Sequence, residues 1–218
     1  MQRMNRAYLI AVATLFVSGC ASHQDQKGYA RRPEYKSGKS AIGSSRKQQL
    51  PDQPRILPET NYAAGRVFEQ QGSPERAIDQ YRKAIAVNHE YTAAYARLGL
   101  MLSVIGQHEE SVAAFTKAVE LKPGSAVLHN NLGFELLYVD RWDEAERHLR
   151  EAVQLDSKLA QAHINLGLLL GRTQRNEQAV DSFRKVLPEP DAYYNLGLLQ
   201  RAQGNYAQAM ESLHHVLT

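Results

Sequence analysis

The chain has 218 residues, one cysteine and a net charge of +3. One cysteine excludes an internal disulfide and any zinc-finger or iron–sulfur ligand set, and the length suits one domain with appendages. The charge divides into +2 over residues 1–19, +5 over 20–55 and −4 over 56–218, so the basic character is confined to the first quarter of the chain, which argues against a nucleic-acid partner for the body.

Residues 1–19 read as a leader. Arg3 and Arg6 precede a twelve-residue apolar run from Ala7 to Ser18. A bilayer span needs about 20 residues, so the run has signal-peptide rather than transmembrane length. It leads into Val17-Ser18-Gly19-Cys20, which resembles the bacterial lipobox: an apolar residue, two small ones, then cysteine. The resemblance implies cleavage before Cys20 and covalent lipid on its sulfur and amine, with no other cofactor expected. Several acyl chains would hold a protein stably where one would not. In such lipoproteins Asp after the cysteine favours the inner membrane. Ala21 stands there, which implies an anchor on the periplasmic face of the outer membrane.

Residues 20–57 read as a lipidated, disordered tether. They are rich in Gln, Lys, Arg, Ser and Gly, and Pro33, Pro51 and Pro54 interrupt them. Such a composition cannot bury enough apolar surface to offset its ordering entropy. Its r.m.s. span would be roughly 35 Å. Its charge suits either anionic lipid or simple solvation.

From residue 58 the sequence repeats with a period of 34. Gly65, Gly99, Gly133, Gly167 and Gly197 mark the register. Twelve residues after each comes a small residue: Ala77, Ser111, Ala145, Ala179 and Ala209. Four further on comes a large apolar one: Tyr81, Phe115, Leu149, Phe183 and Leu213. Each unit carries two apolar stripes at helical spacing, such as Tyr95, Leu98, Leu102 and Ile105 followed by Val112, Phe115 and Val119. Period and pattern resemble the tetratricopeptide repeat. The resemblance implies an all-α, right-handed α-solenoid of five helix-turn-helix units: 58–91, 92–125, 126–159, 160–189 and 190–218.

Three departures carry expectations. Asp140 and Gln174 replace the turn glycine of other units, which predicts looser or differently capped turns. The fourth unit is four residues short, and Pro188 and Pro190 predict that its second helix ends near Val186. At the last helix, Met210, Leu213, Val216 and Leu217 lack a following helix, which offers a surface for a partner or a homodimer.

No phosphate loop, nucleophile elbow or zinc-protease motif occurs. The eight histidines scatter through the repeat register; His129 and His163 share a packing position on the first helix, and His214 and His215 are adjacent and so cannot share a helix face. No catalytic set and no metal site is expected. What remains is the inner face. By the family resemblance it is lined by positions 2, 5, 6, 9, 12 and 13 of each first helix. The groove residues are then Tyr62, Arg66, Arg97, Asn131, Phe134, Tyr138, Asn165, Arg172, Tyr194 and Asn195. Asparagine amides can pair with both N–H and C=O of a peptide, apolar shelves take its side chains, and arginines hold acidic groups. Tyr62 and Arg66 stand where the family's carboxylate clamp has Lys and Asn, so chaperone tails are not the expected partner. The layout of lipobox plus repeats resembles the tight-adherence and type IV pilus assembly lipoproteins. The expectation is a non-enzymatic scaffold binding a protein or peptide; the alternatives are an adaptor for cell-wall hydrolases or proteases and a self-associating structural lipoprotein.

Overall fold

The computed structural model describes residues 57–217, so the leader, Cys20 and the tether lie outside the described residues. Among the described residues ten helices and no strand form, and the helices pair into five hairpins. The first is α1 (Pro58–Gln70) with α2 (Pro74–Val87), the second α3 (Thr92–Val104) with α4 (His108–Leu121). The third is α5 (Ala126–Tyr138) with α6 (Trp142–Leu155), the fourth α7 (Ala160–Arg172) with α8 (Asn176–Arg184). The last is α9 (Glu189–Ala202) with α10 (Tyr206–His214). The result is an α-solenoid of tetratricopeptide-type hairpins.

All five turns are built alike. The residue at repeat position 15 has positive φ: Gly72 (67°), Gly106 (76°), Asp140 (58°), Gln174 (60°) and Gly204 (82°). In each turn an amide reaches back to the carbonyl five residues earlier, from Ser73 to Phe68, Gln107 to Leu102, Arg141 to Leu136, Arg175 to Leu170 and Asn205 to Gln200, all at 2.9–3.0 Å. This six-to-one bond satisfies carbonyls that a helix end leaves open. The looser turns expected at Asp140 and Gln174 therefore do not form. The shared bond forces the left-handed conformation, and these two residues adopt it without a glycine's freedom.

The register glycines sit under the large residue of the same hairpin. A Cβ on Gly65 would fall 2.5 Å from the Tyr81 ring, one on Gly167 2.5 Å from Phe183, and one on Gly133 2.7 Å from Leu149 Cγ. Tyr81, Phe115, Leu149 and Phe183 are fully enclosed there. Leu213 occupies the same slot over Gly197 and is half-buried there, so it packs in its own hairpin and not at an open end as expected; Met210 on that helix and Leu217 beyond its end are exposed.

The fourth hairpin is clipped. α8 has nine residues where α2, α4 and α6 have fourteen. It stops at Arg184, two residues before the expected Val186, because Pro188 bars Leu187 from helical backbone and the chain unwinds through a turn in which Val186 and Leu187 both bond the Phe183 carbonyl. Pro190 then occupies the first turn of α9, where its missing N–H costs nothing.

From the third hairpin on, the first helices form the tight layer: α5 packs on α7 and α7 on α9, while second helices make no comparable contact with one another. First helices close together and second helices splayed apart mean curvature toward the first-helix side. That side is the inner face.

Candidate peptide-binding groove

The first two hairpins contribute a braced cationic end. The Glu69 carboxylate accepts from Arg97 Nη1 at 2.9 Å and from the Tyr81 hydroxyl at 2.7 Å, and Arg66 Nε lies 3.5 Å from it. Burial, and after it the hydrogen bond to Glu69 and that carboxylate's charge, pushes the Tyr81 hydroxyl's pKa well up, so it stays a donor. Arg66 Nε is enclosed without a hydrogen-bond partner. Tyr62 packs its ring between those of Tyr81 and Tyr91, at centroid distances of 5.7 and 5.2 Å. Two guanidiniums held by one carboxylate leave a net positive corner.

In the middle the asparagines are not equivalent. Asn165 is buried and donates through Nδ2 to Asn130 Oδ1 at 2.9 Å; Asn130, also buried, donates to Asn131 Oδ1 at 3.2 Å. This chain ties α5 to α7. Asn131 stays half-exposed, whereas the Asn165 amide nitrogen is committed to the fold. Phe134 sets its edge against the Tyr138 ring at 5.1 Å, and Tyr138 stacks on His108 at 4.3 Å. Burial and then the nearby Glu135 charge push the Tyr138 hydroxyl up to about 12. Arg172 lies over the Trp142 ring, 5.2 Å from its centroid, with Nη2 3.4 Å from Asp140. At the last hairpin Tyr194 is 48 % exposed, and Asn195 donates to the Asp191 carbonyl at 2.7 Å. Two more apolar residues at inner positions are open, Val104 at 68 % and Val127 at 53 %. The ten expected groove residues thus fall into a braced basic corner, an aromatic middle and an open apolar end, with Asn165 set apart beneath the surface.

Two polar clusters went unread in the sequence. Glu135 is almost wholly buried and accepts from Ser103 Oγ at 2.6 Å and from His108 Nδ1 at 2.9 Å, joining hairpins two and three. It stands at a position filled by Met101, Leu169 and Leu199 in neighbouring repeats, and that contrast was the available signal. The serine bonds the carboxylate and not the imidazole, so the trio lacks the proton path of a nucleophile. The second cluster pairs His129 Nδ1 with His148 Nδ1 at 3.0 Å, while His129 Nε2 donates to the Pro123 carbonyl at 2.9 Å. His163 repeats that last device with the Ser157 carbonyl at 3.0 Å. Among the described residues no group of three or more His, Cys, Asp or Glu could hold a metal, and no helix is long and apolar enough to cross a membrane.

Five hairpins of this register, curved around an inner face of aromatic, amide and cationic side chains, define a helical-repeat scaffold. Family models of the tetratricopeptide repeat match residues 62–126 and 131–191, and another matches 191–218. The chain belongs to the tetratricopeptide-repeat family, whose members serve as protein-interaction scaffolds. Among solved structures it is similar to MamA, at 23 % identity and a TM-score of 0.60, over 70 % of this chain and 92 % of that one. It is similar to YrrB, described as a TPR protein with an unusual peptide-binding site, at 23 % identity and a TM-score of 0.60, over 72 % of this chain and 84 % of that one. It is also similar to pilF of Pseudomonas aeruginosa, at 23 % identity and a TM-score of 0.57, over 73 % of this chain and 76 % of that one. No curated protein matches the chain. At these identities the likeness establishes the fold.

Proposed function

We propose that the protein is a non-enzymatic scaffold, lipid-anchored through Cys20 to the periplasmic face of the outer membrane, that holds a peptide or protein segment along its inner face for assembly of a pilus or secretion system. The observation that carries the binding part is the exposure of Val104, Val127 and Tyr194 at inner-face positions of three first helices that also carry Arg97, Asn131 and Asn195. Apolar side chains left open on the inner face, with amides and cations on the same helices, suit a segment that makes both apolar and polar contacts. The lipobox-like Val17-Ser18-Gly19-Cys20 supports the anchor, and the leader-plus-repeat layout supports the assembly role.

Affinity purification of the tagged full-length protein from its own membranes, with partners identified, tests both parts. Partners captured by the native chain should be lost with Val104→Glu plus Tyr194→Ala, at an unchanged melting temperature. Cys20→Ser should move the protein from the membrane to the soluble fraction. Undiminished capture by the double variant would place binding elsewhere, and full membrane retention of Cys20→Ser would remove the lipid anchor. Genes for a secretin, pilin or pilus ATPase beside this one would favour the assembly role; a wall hydrolase there would argue against it.

A further inference from the structure

Hairpins three and four solve one packing problem in two ways. At equivalent positions of α5 and α7, His129 and His163 are buried, and each turns Nε2 to a loop carbonyl, Pro123 at 2.9 Å and Ser157 at 3.0 Å. Both carbonyls lie where the chain enters from the hairpin before. The second helices then differ. His148 on α6 and Ser182 on α8 stand at the same repeat position. Ser182 Oγ donates to the His163 carbonyl at 3.0 Å, with no titratable partner. His148 Nδ1 instead meets His129 Nδ1 at 3.0 Å, with the ring centroids 5.2 Å apart. A serine closes this packing position, so the fold does not require a second histidine there.

The contacts fix where the protons sit. A carbonyl only accepts, so His129 Nε2 carries hydrogen and the neutral ring has a bare Nδ1. The short contact then needs the His148 hydrogen on Nδ1, which leaves its Nε2 bare. One added proton fits: it goes to His148 Nε2 and leaves the bond in place. A second does not fit, because two cationic rings would then face each other with hydrogen on both Nδ1 atoms, 3.0 Å apart. Burial, then the charges of His129 and Arg147, oppose the charged form of His148, and Glu144 and Glu151 favour it less strongly. Glu144 is committed to Arg141 through two bonds at 2.7 Å. None of these main charges comes from α4 or α7, the other helices packed on α5 and α6. Among the described residues neither ring makes an ion pair; the histidine that does is His108, on Glu135.

We propose that His129 and His148 form an acid-operated latch that fastens α6 to α5. The latch stays shut with no added proton or with one, and opens when the second arrives and His148 swings into solvent. α5 also carries Asn131, Phe134 and Tyr138, so the latch sets how firmly the middle of the inner face is held, and acid would release a segment bound there. That consequence rests on the binding role proposed for the inner face; the latch itself does not.

The test is NMR of the full-length chain, with backbone and histidine rings ¹⁵N-labelled, titrated without any partner from about pH 8 to about pH 4. At the start, hydrogen should sit on Nε2 of His129 and on Nδ1 of His148. The two rings should titrate together in two separate steps. Across the second step, hydrogen exchange at the α5–α6 contact, corrected for its intrinsic pH dependence, should become about tenfold faster, with shifts at Asn131 and Phe134. α7 and α8 should not follow, because His163 and Ser182 bring no second charge. His148→Gln keeps a donor for His129 Nδ1 with nothing to titrate, and His148→Ser copies the fourth hairpin. Both should abolish the second step while preserving the fold at neutral pH. Hydrogen on His148 Nε2 instead of Nδ1 at the start, independent titration of the two rings, an α5–α6 contact that loosens no more than α7–α8, or an unchanged second step in His148→Gln would each overturn the proposal. With no partner present, a failed latch leaves the binding role standing, and failed partner capture leaves the latch standing.

Discussion

Asn165→Ala and Asn195→Ala change the same side chain at the same repeat position, and the structure predicts opposite outcomes. Asn165 Nδ2 donates to Asn130 Oδ1 at 2.9 Å, with both residues buried between α5 and α7. Truncation leaves the Asn130 oxygen without a donor in a place water reaches poorly, a loss of about 1–3 kcal/mol. At about 2–4 °C per kcal/mol for a body of this size, the melting temperature should fall by about 2–12 °C. Asn195 instead bonds the Asp191 carbonyl one turn back on its own helix, at a half-exposed position. Its removal should stay within about 0.5 kcal/mol, since alanine also favours the helix. A double variant, Asn130→Ala with Asn165→Ala, should cost less than the two single changes together, because it leaves no orphan. Thermal and urea unfolding followed by circular dichroism measures all four. Equal melting temperatures for the two single variants, within about 1 °C, would refute the assignment of Asn165 to the fold, and would make Asn165 as free to meet a partner as Asn195.

Gln174 holds φ at 60° at an exposed turn, so Gln174→Gly should raise stability by about 1 kcal/mol, read as a higher urea midpoint at unchanged slope. Acid should act in two windows. Burial, and after it the charges of His129 and Arg147, holds the His148 pKa below the ordinary value of 6.5 against the opposing pull of Glu144 and Glu151. The unfolded chain then binds the proton more readily, so this stability is complete above pH 6.5 and is lost as pH falls below that value through the lower folded pKa; His148→Gln should flatten the fall in melting temperature that begins below about pH 6.5. Hydrogen bonds from Arg175, and less so from Arg150, pull Glu146 down to about 2 from 4.5. Its contribution is present above 4.5 and is lost toward pH 2, so Glu146→Gln should flatten only that lower window.

The hairpins were legible because their cause is local and repeated. Gly65 under Tyr81 and Gly167 under Phe183 lie sixteen residues apart in one unit, and five aligned units expose such a column. Inter-repeat polar ties were not legible. Asn130 with Asn165, Ser103 with Glu135 and Arg97 with Glu69 each join two units, and a column shows which position is polar without showing which neighbour it meets. The asparagines illustrate the cost. Asn131, Asn165 and Asn195 share one column and read as one row, yet Asn165 sinks because Asn130, at the preceding position of the unit before, is there to receive it. Asp140 and Gln174 failed for another reason: the six-to-one bond of the turn overrides the preference of the residue placed in it.

The same ties set an order of opening along the solenoid. Neighbouring hairpins stabilise one another pairwise, so each junction contributes its own free energy. The first junction is held by the charge-assisted Arg97–Glu69 and Arg82–Glu110 bonds. The second has Glu135 accepting from Ser103 and His108, and the third has Arg175 on Glu146 and Asn165 on Asn130. At the fourth, Gln203 Nε2 reaches the carbonyls of Gly171 and Arg172 at 3.3 and 3.2 Å, and the single charged bond, Arg184 to Glu189 at 3.4 Å, is long and open to solvent on both sides. Bonds to charged groups contribute about 1.5–3 kcal/mol against about 0.5–1.5 for neutral ones. A difference of about 1.4 kcal/mol is a factor of ten in an opening equilibrium. Both end hairpins lack one neighbour among the described residues, so comparing them isolates the junction. In native-state hydrogen exchange the amides of α9 and α10 should exchange about tenfold faster than those of α1 and α2. If the first hairpin opened as readily as the last, junction chemistry would not be what grades stability along the array.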